Sequence, residues 1–270
     1  MPWRLLRDGA ASGPWNMGVD EALLASAAHR DSCSLRFYRW DGSWLSLGYG
    51  QRPSLDVLEA CRGVGVGVVR RATGGRAVLH GCDLTYSISA PWQQLPGGLQ
   101  GPYELASRAL LQALLRLGIR AECSAADAAG PGPGEFDCFA APGAYELCVA
   151  GRKLVGSAQR RVVGALLQHG SMRLRPDPLA AARAAGLSGE GATSLQEVGC
   201  RESPEALEGA CVEAFQRLLG SQFEAGELTD EEREQARERC KSHSLDQLAT
   251  PPLAAAPAPR ESSRAQFGGR

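Results

Sequence analysis

Lysine is nearly missing from this chain. The sequence holds 29 Lys and Arg residues, and only Lys153 and Lys241 are lysines. Nor does it contain a run of about 18 apolar residues, so no membrane span is expected. The opening segment, MPWRLLRDGAASG, has no apolar signal-peptide core. Its nine cysteines are odd in number and include no CxxC pair. That argues against a disulfide framework and a structural zinc site, and a reducing, cytoplasmic setting is expected. A net charge of −1 provides no broad basic field, so no nucleic-acid partner is expected. There are no internal repeats.

What is present is ordinary globular material. Hydrophobic residues make up 44% and charged residues 22% of 270 positions, enough for one large core or two small ones. Trp3–Arg7 reads as a strand and Trp15–His29 as a helix with an approximate apolar stripe. Ser34–Trp40 and Ser43–Leu47, on either side of Asp41-Gly42, read as a hairpin. Ser54 can cap a short helix to Cys61. Gly63–Arg71, Ala77–His80 and Leu84–Ser89 are strand-like, with the small-residue turn Ala72–Arg76 between the first two. Tyr103–Leu117 reads as a helix stopped by Gly118. Ala125–Gly134 reads as a flexible loop. Val162–Leu174 reads as one strand, bent at Gly170. Helices are expected after Asp177-Pro178 and from Ser203-Pro204 to Leu219. Thr229–Glu232 forms a capping-box pattern for a last helix. Thr250–Arg270 is Pro/Ala-rich and then polar, and reads as a disordered tail. Together these elements predict an α+β fold, a mixed or antiparallel sheet core with flanking helices. The expected division is a catalytic domain over 1–225, a C-terminal helix over 226–249 and the tail over 250–270.

One stretch carries the chemistry. Phe136–Arg160 begins with Cys138 in a loop broken by Pro142 and Gly143. Two short apolar runs follow, Tyr145–Val149 and Lys153–Ala158, joined by Ala150-Gly151, and they read as a hairpin. Folding it back brings Lys153 toward Cys138, so that a thiol and an ammonium meet over one pocket. Lys offers a compact charge on a flexible stem. The alternative is a solvated turn lysine, and for Cys138 a small buried hydrophobe.

Two segments form a recognisable pair. Arg70-Arg71-Ala-Thr-Gly-Gly-Arg-Ala-Val-Leu-His80 resembles the RRxTGGxAVxH signature of the lipoate/biotin ligase and octanoyltransferase superfamily. Gly151-Arg-Lys153-Leu-Val-Gly-Ser-Ala158 resembles its second signature. Met17-Gly18-x-Asp20-Glu21 and Leu45–Gln51 add to the likeness, which covers roughly residues 3–220. Cys138-Phe-x-x-Pro142, ahead of Tyr145-Glu146-Leu147, resembles the LipM-type octanoyltransferases. These are similar in length and do without the extra C-terminal domain of many ATP-using ligases. The segment Gly81-Cys82-Asp83 departs from the acidic pattern that often follows the histidine. That makes Cys82 a rival thiol and leaves Asp83 without an assigned role.

The resemblance implies a lipoate/biotin ligase-like catalytic domain. It also implies transfer of octanoyl from acyl carrier protein to a lysine of a lipoyl domain, such as the glycine cleavage H protein. The implied route is a thioester on Cys138, with no ATP and no metal. Thiolate is the attacking form of cysteine, and a nearby cation favours it. Lys153 would supply that cation and meet the developing oxyanion, joined by backbone N–H groups after Cys138. His80 is either a base or orienting residue, or a core histidine with both nitrogens satisfied. His169 presents the same choice. Arg70 and Arg71 would reach a phosphopantetheine phosphate or a carrier carboxylate, and otherwise form a solvated strand end. Thr73, Gly74 and Gly75 form the turn. Gly74, Gly75, Gly156 and Ala158 would wall a narrow acyl slot. Three other functions compete: an ATP-dependent lipoate ligase, an octanoyl amidotransferase, and a non-catalytic acyl- or carrier-binding protein.

Overall fold

The structure, a computed structural model, describes residues 3–98, 100–125 and 135–245. The first strand, β1 (Trp3–Ala11), runs longer than its apolar pattern. Ser12 then caps α1 (Gly13–Arg30). Its side chain accepts from the Trp15 amide, and Pro14 occupies the first turn, where a missing N–H costs nothing. There follow β2 (Cys33–Trp40), β3 (Trp44–Leu47), α2 (Leu55–Gly63), β4 (Gly67–Arg70), β5 (Val78–His80) and β6 (Asp83–Pro91). Next come α3 (Gly101–Arg116), β7 (Glu122–Cys123), β8 (Leu147–Val149), β9 (Arg152–Val162) and β10 (Ala165–Arg173). The described chain ends with α4 (Leu179–Ala184), α5 (Pro204–Leu219), β11 (Phe223–Ala225) and α6 (Asp230–His243).

Eight strands form one sheet in the order β11-β1-β2-β6-β10-β9-β8-β7, and a smaller sheet has the order β4-β3-β5. The large sheet is mixed: β1 runs parallel to β2 and β11, and the pairs from β2 onward are antiparallel. Side chains alternate across it with period two. On β6, Leu84, Tyr86 and Ile88 join the main core with α3 and α5. The intervening Thr85 and Ser87 face the other way, opposite Ser171 and His169 of β10. That second face is covered partly by α1, through Met17 against Tyr38 and Trp40 and through Leu24 and Ala27 against Ala165 and Leu167. A buried layer rich in Ser, Thr and His therefore lies beneath α1 and the small sheet.

Two expectations are corrected. β2 and β3 are not a hairpin. Both edges of β2 are taken, by β1 and β6, so the chain after Asp41-Gly42 leaves for the small sheet, where β3 pairs with β4 and β5. Val162–Leu174 is not one strand either. β9 continues to Val162, the chain turns at Val163-Gly164 with Gly164 at φ 85°, and β10 starts at Ala165. Gly170 is needed for space: a Cβ there would lie 2.5 Å from Tyr86 Cε1. The expected tail, 250–270, and most of the expected loop, 126–134, lie outside the described residues.

The last helix forms with both halves of its capping box, Thr229 to Glu232 and back. It packs on α1, where a Cβ on Gly18 would lie 2.5 Å from Ala236 O. At its end, Leu245 N donates to Val68 O and His243 Nδ1 lies 2.7 Å from Arg70 O, which ties the helix to β4.

The β8–β9 hairpin forms as expected. Ala150 and Gly151 both have positive φ, 50° and 74°, so the left-handed turn matches the strand twist. Ala carries a Cβ penalty of about 1 kcal/mol in that region, which Asn tolerates better. Ala150→Asn is therefore expected to raise the melting temperature by about 2–4 °C. A lower melting temperature in a thermal scan would show that the turn carries no such strain.

Candidate active site

Cys138 is held by the first signature. Ala77 N donates to Phe136 O and Cys138 N to Ala77 O, so the cysteine loop runs as a short parallel extension beside β5. Lys153 enters from β9. Its backbone is pinned on the other side by the segment around Ala192, with Lys153 N donating to Gly191 O and Thr193 N to Lys153 O. The two side chains meet: Lys153 Nζ lies 2.7 Å from Cys138 O and 3.4 Å from Cys138 Sγ. A third partner is Glu146, whose Oε2 lies 2.6 Å from Nζ. Lys153 is 1% exposed and Glu146 8%. The lysine is thus no solvated turn residue.

These residues border a cavity of about 230 Å³ that runs between the small sheet and the polar face of the large one. Gly75, His80, Gly156 and Ala158 line it, with Arg71, Ser46, Trp40 and His169. Gly156 is required by the lysine itself, since a Cβ there would lie 2.9 Å from Lys153 Cε. Gly75 has φ 88°, and its turn is stapled by Arg71, which donates to Gly74 O and Arg76 O from one nitrogen and to Ser46 O and Oγ from the other. Burial lowers the Arg71 pKa, while the Cys138 sulfur and Tyr38 push it back up.

Three expected residues, Arg70, Thr73 and Gly74, are not part of the cavity lining. Arg70 Nη1 donates to Gly48 O, Tyr49 O and Gln51 O, so this nitrogen clamps the Leu45–Gln51 segment. Arg71 does line the cavity, with both Nη groups bonded to backbone carbonyls and to Ser46 Oγ. Thr73 is buried against His169, with 2.7 Å between Oγ1 and Nε2, and Gly74 is exposed on the turn. The expected oxyanion donors after Cys138 are also engaged: Phe139 N donates to Asp137 Oδ1 and Gly143 N to Glu146 Oε2. Cys82 does not line the cavity, and its Sγ accepts from Arg175 Nε at 3.3 Å.

Both histidines are held at each ring nitrogen. His80 Nδ1 lies 2.7 Å from Asp83 Oδ2 and Nε2 lies 2.8 Å from Ser46 Oγ, while its ring stacks on Trp40 at 3.9 Å. His169 Nδ1 lies 2.9 Å from Asp20 Oδ2. A carboxylate only accepts, so each Nδ1 carries a hydrogen and each Nε2 faces a hydroxyl. Burial alone would raise the pKa of Asp20, but the His169 bond and the Arg36 charge outweigh it and hold the carboxyl below its usual range. Asp83 is lowered in the same way, with His80 outweighing burial. Glu146, Asp20 and Asp83 are the residues whose roles sequence reasoning did not find. Glu146 interrupts an apolar run, while Asp20 and Asp83 sit beside signature residues, and none of the three is marked as buried by its neighbours in sequence. Among the described residues no group of three or more His, Cys, Asp or Glu is placed to hold a metal.

The family model of the lipoyl protein ligase A/B catalytic domain matches residues 12–217. Octanoyltransferase LipM of Kyrpidia tusciae is 40% identical over 91% of this chain and 97% of its own length. Octanoyltransferase LipM of Symbiobacterium thermophilum is 38% identical over 87% and 93%. The chain belongs to the LipM octanoyltransferases of this family. Solved structures share the family fold. A lipoate-protein ligase A bound with ATP superimposes with TM-score 0.75 at 22% identity, covering 89% of this chain and 95% of that one. A bipartite lipoate protein ligase from Thermoplasma acidophilum, solved in a study of the ligase and its E2 lipoyl domain, gives TM-score 0.68 at 23% identity, covering 89% and 92%. The LipM signatures thus map onto a lipoate-ligase scaffold, with Cys138 and Lys153 at one cavity.

Burial lowers the His169 pKa from its ordinary 6.5, outweighing the upward pull of Asp20. As pH falls, the unfolded chain therefore takes up the proton first, so stability is full above 6.5 and declines below it. The melting temperature is expected to drop as pH is lowered below 6.5, and His169→Gln to flatten that drop. An unchanged pH slope in His169→Gln would assign the acid sensitivity elsewhere.

Proposed function

We propose that this octanoyltransferase takes its acyl group from acyl carrier protein and passes it to a lysine of a lipoyl domain, such as the glycine cleavage H protein, through a thioester on Cys138. The supporting observation is the 3.4 Å approach of Lys153 Nζ to Cys138 Sγ in the lined cavity. In the first step the Cys138 sulfur attacks the octanoyl carbonyl. A new C–S bond forms, the carrier C–S bond breaks, and the thiol proton ends on the carrier sulfur. In the second step the acceptor amine attacks the same carbonyl, the amide forms, and Cys138 leaves and regains a proton. Thioester exchange is nearly balanced and amide formation runs downhill, so no nucleotide is required. Lys153 Nζ is the donor placed for the developing oxyanion: of its three contacts, the one to Cys138 Sγ is at the atom that is acylated, so that hydrogen is free to turn to the carbonyl oxygen, whereas the Phe139 and Gly143 N–H groups are held by carboxylates that take no part. The cytoplasm, where acyl carrier protein and lipoyl domains occur, is the proposed setting. No helix among the described residues is long and apolar enough to cross a membrane.

The fold does not separate transferase from ligase, because an ATP-bound ligase shares it. Nucleotide dependence does. After apyrase treatment, incubation with octanoyl-carrier should add one octanoyl mass to the wild-type protein, removable by hydroxylamine and absent from Cys138→Ala. Strict dependence on ATP with free octanoate as donor would establish the ligase reading instead.

Lys153→Arg keeps the charge, but its planar fork has no room between Glu146 and Gly156. Acyl transfer is expected to fall by roughly 100-fold or more, the scale of one lost oxyanion donor. Transfer at the wild-type rate would remove Lys153 from the chemistry.

A further inference from the structure

We infer that Glu146 is a positioning residue for the acyl transfer, acting through Lys153; this rests on the Cys138 thioester reading above. The three hydrogens of an ammonium have three partners here: Cys138 O, Cys138 Sγ and Glu146 Oε2. The first two alone do not fix the group, because a carbonyl and a thiol on one residue leave a flexible four-carbon stem free to swing. The carboxylate at 2.6 Å closes the set. The logic is that of a nucleophile beside a charged partner, which is oriented in turn by a third group.

The fold invests in the placement of this carboxylate. Glu146 follows Tyr145, a non-glycine residue at φ 59°. Such a conformation persists only where its surroundings over-determine it. Here they do: Ser107 Oγ donates to Tyr145 O, Glu146 N donates to Ser124 Oγ, and Ser124 N donates to Glu146 O. The Tyr145 ring stacks on Tyr103 at 6.3 Å. The Glu146 side chain also accepts from Gly143 N, so one carboxylate holds both the lysine and the loop that follows the cysteine. A Cβ on Gly156 would lie 3.5 Å from Glu146 Oε1 and 2.9 Å from Lys153 Cε, so the glycine clears the space in which the pair meets.

During the reaction Glu146 neither gains nor loses a covalent bond. The C–S and N–C bonds change as described above, and the carboxylate keeps the ammonium aimed at the carbonyl oxygen in both halves. Its loss should therefore lower the rate of bond making and leave carrier binding alone.

The test is a double-mutant cycle on the full chain with octanoyl-carrier as donor. Single-turnover octanoylation of Cys138 is followed by intact mass for wild type, Glu146→Gln, Lys153→Met and the double variant. Gln keeps the size of Glu and removes the charge. Glu146→Gln should lower the acylation rate by about tenfold or more with KM for the carrier unchanged, and the double variant should react at the rate of Lys153→Met alone. Lys153→Met leaves the Glu146 carboxylate buried without its cation, so a melting scan first confirms that both members of the decisive pair, Lys153→Met and the double variant, are folded; the double variant itself buries neither charge. A further loss in the double variant, or a wild-type rate in Glu146→Gln, would overturn the assignment and leave Glu146 as a loop anchor. If wild-type Cys138 takes up no octanoyl group at all, the thioester reading fails, which is a different result.

Discussion

A lysine ammonium buried to 1% exposure must be answered by charge and by hydrogen bonds, because an isolated ion in apolar surroundings costs many kcal/mol. Here the answer comes from Glu146 and the Cys138 carbonyl, and much of the local fold follows from it. The β8–β9 hairpin has to return at the right register, so its two-residue turn adopts left-handed angles even at Ala150. The cysteine loop has to lie against β5, so Ala77 both donates to and accepts from it. A side chain at residue 156 would push the lysine end out of its place beside Glu146. The second sequence signature, a lysine followed by small residues, is on this view the footprint of one buried ion pair and the room it needs.

The same constraint operates a second time, deeper in the molecule. Arg36 is fully buried and is met by Asp8, Asp20, Asn16 O and Asn16 Oδ1, with the Tyr38 ring 4.0 Å from its centre. Asp20 also takes Tyr38, Ser87 and His169. Asp83 collects His80, Thr85, Ser171 and the Gly81 amide. Each carboxylate thus accepts several bonds and holds one cavity histidine by Nδ1. Networks of this kind are costly when incomplete and rigid when satisfied. Their consequence at the site is that His80 and His169 present fixed rings and no spare nitrogen, which makes them walls of the cavity and leaves the thiol and the ammonium to the proposed chemistry.

How much of this was legible in the sequence depended on whether the cause was local. The helix starts at Ser54, Ser203 and Thr229 were readable because a cap and its amide lie three residues apart. The Ala150-Gly151 hairpin was readable because its turn chemistry is contained in two residues, and from it came the meeting of Lys153 with Cys138. The β2–β3 connection was misread because the local signal, Asp-Gly between two strands, is the same whether or not the first strand has a free edge. Both edges are filled, by β1 and β6, whose paired positions lie 30 residues away at Leu5–Leu35 and 49 at Phe37–Tyr86, which no window around Asp41 contains. The contacts of the arginines were hidden for a related reason. Arg70 and Arg71 look like anion binders by type, but their partners are carbonyls of a turn and of a distant segment.

Glu146 marks the boundary between these two kinds of knowledge. In sequence it is a polar interruption of an apolar run, seven positions before the lysine, and nothing local distinguishes it from a solvent-facing strand residue. Its meaning appears only when the hairpin is closed, and with it the loop carrying Cys138. A thiol, an ammonium and a carboxylate then share one buried corner in which the ammonium and carboxylate offset each other's charge. Such a corner tolerates a neutral thioester on Cys138 better than a lone cation would, since acylation removes the thiol hydrogen without leaving an unpaired ion behind. The arrangement is suited to a resting state and an acylated state of similar electrostatic cost, which is what the proposed two-step transfer would require.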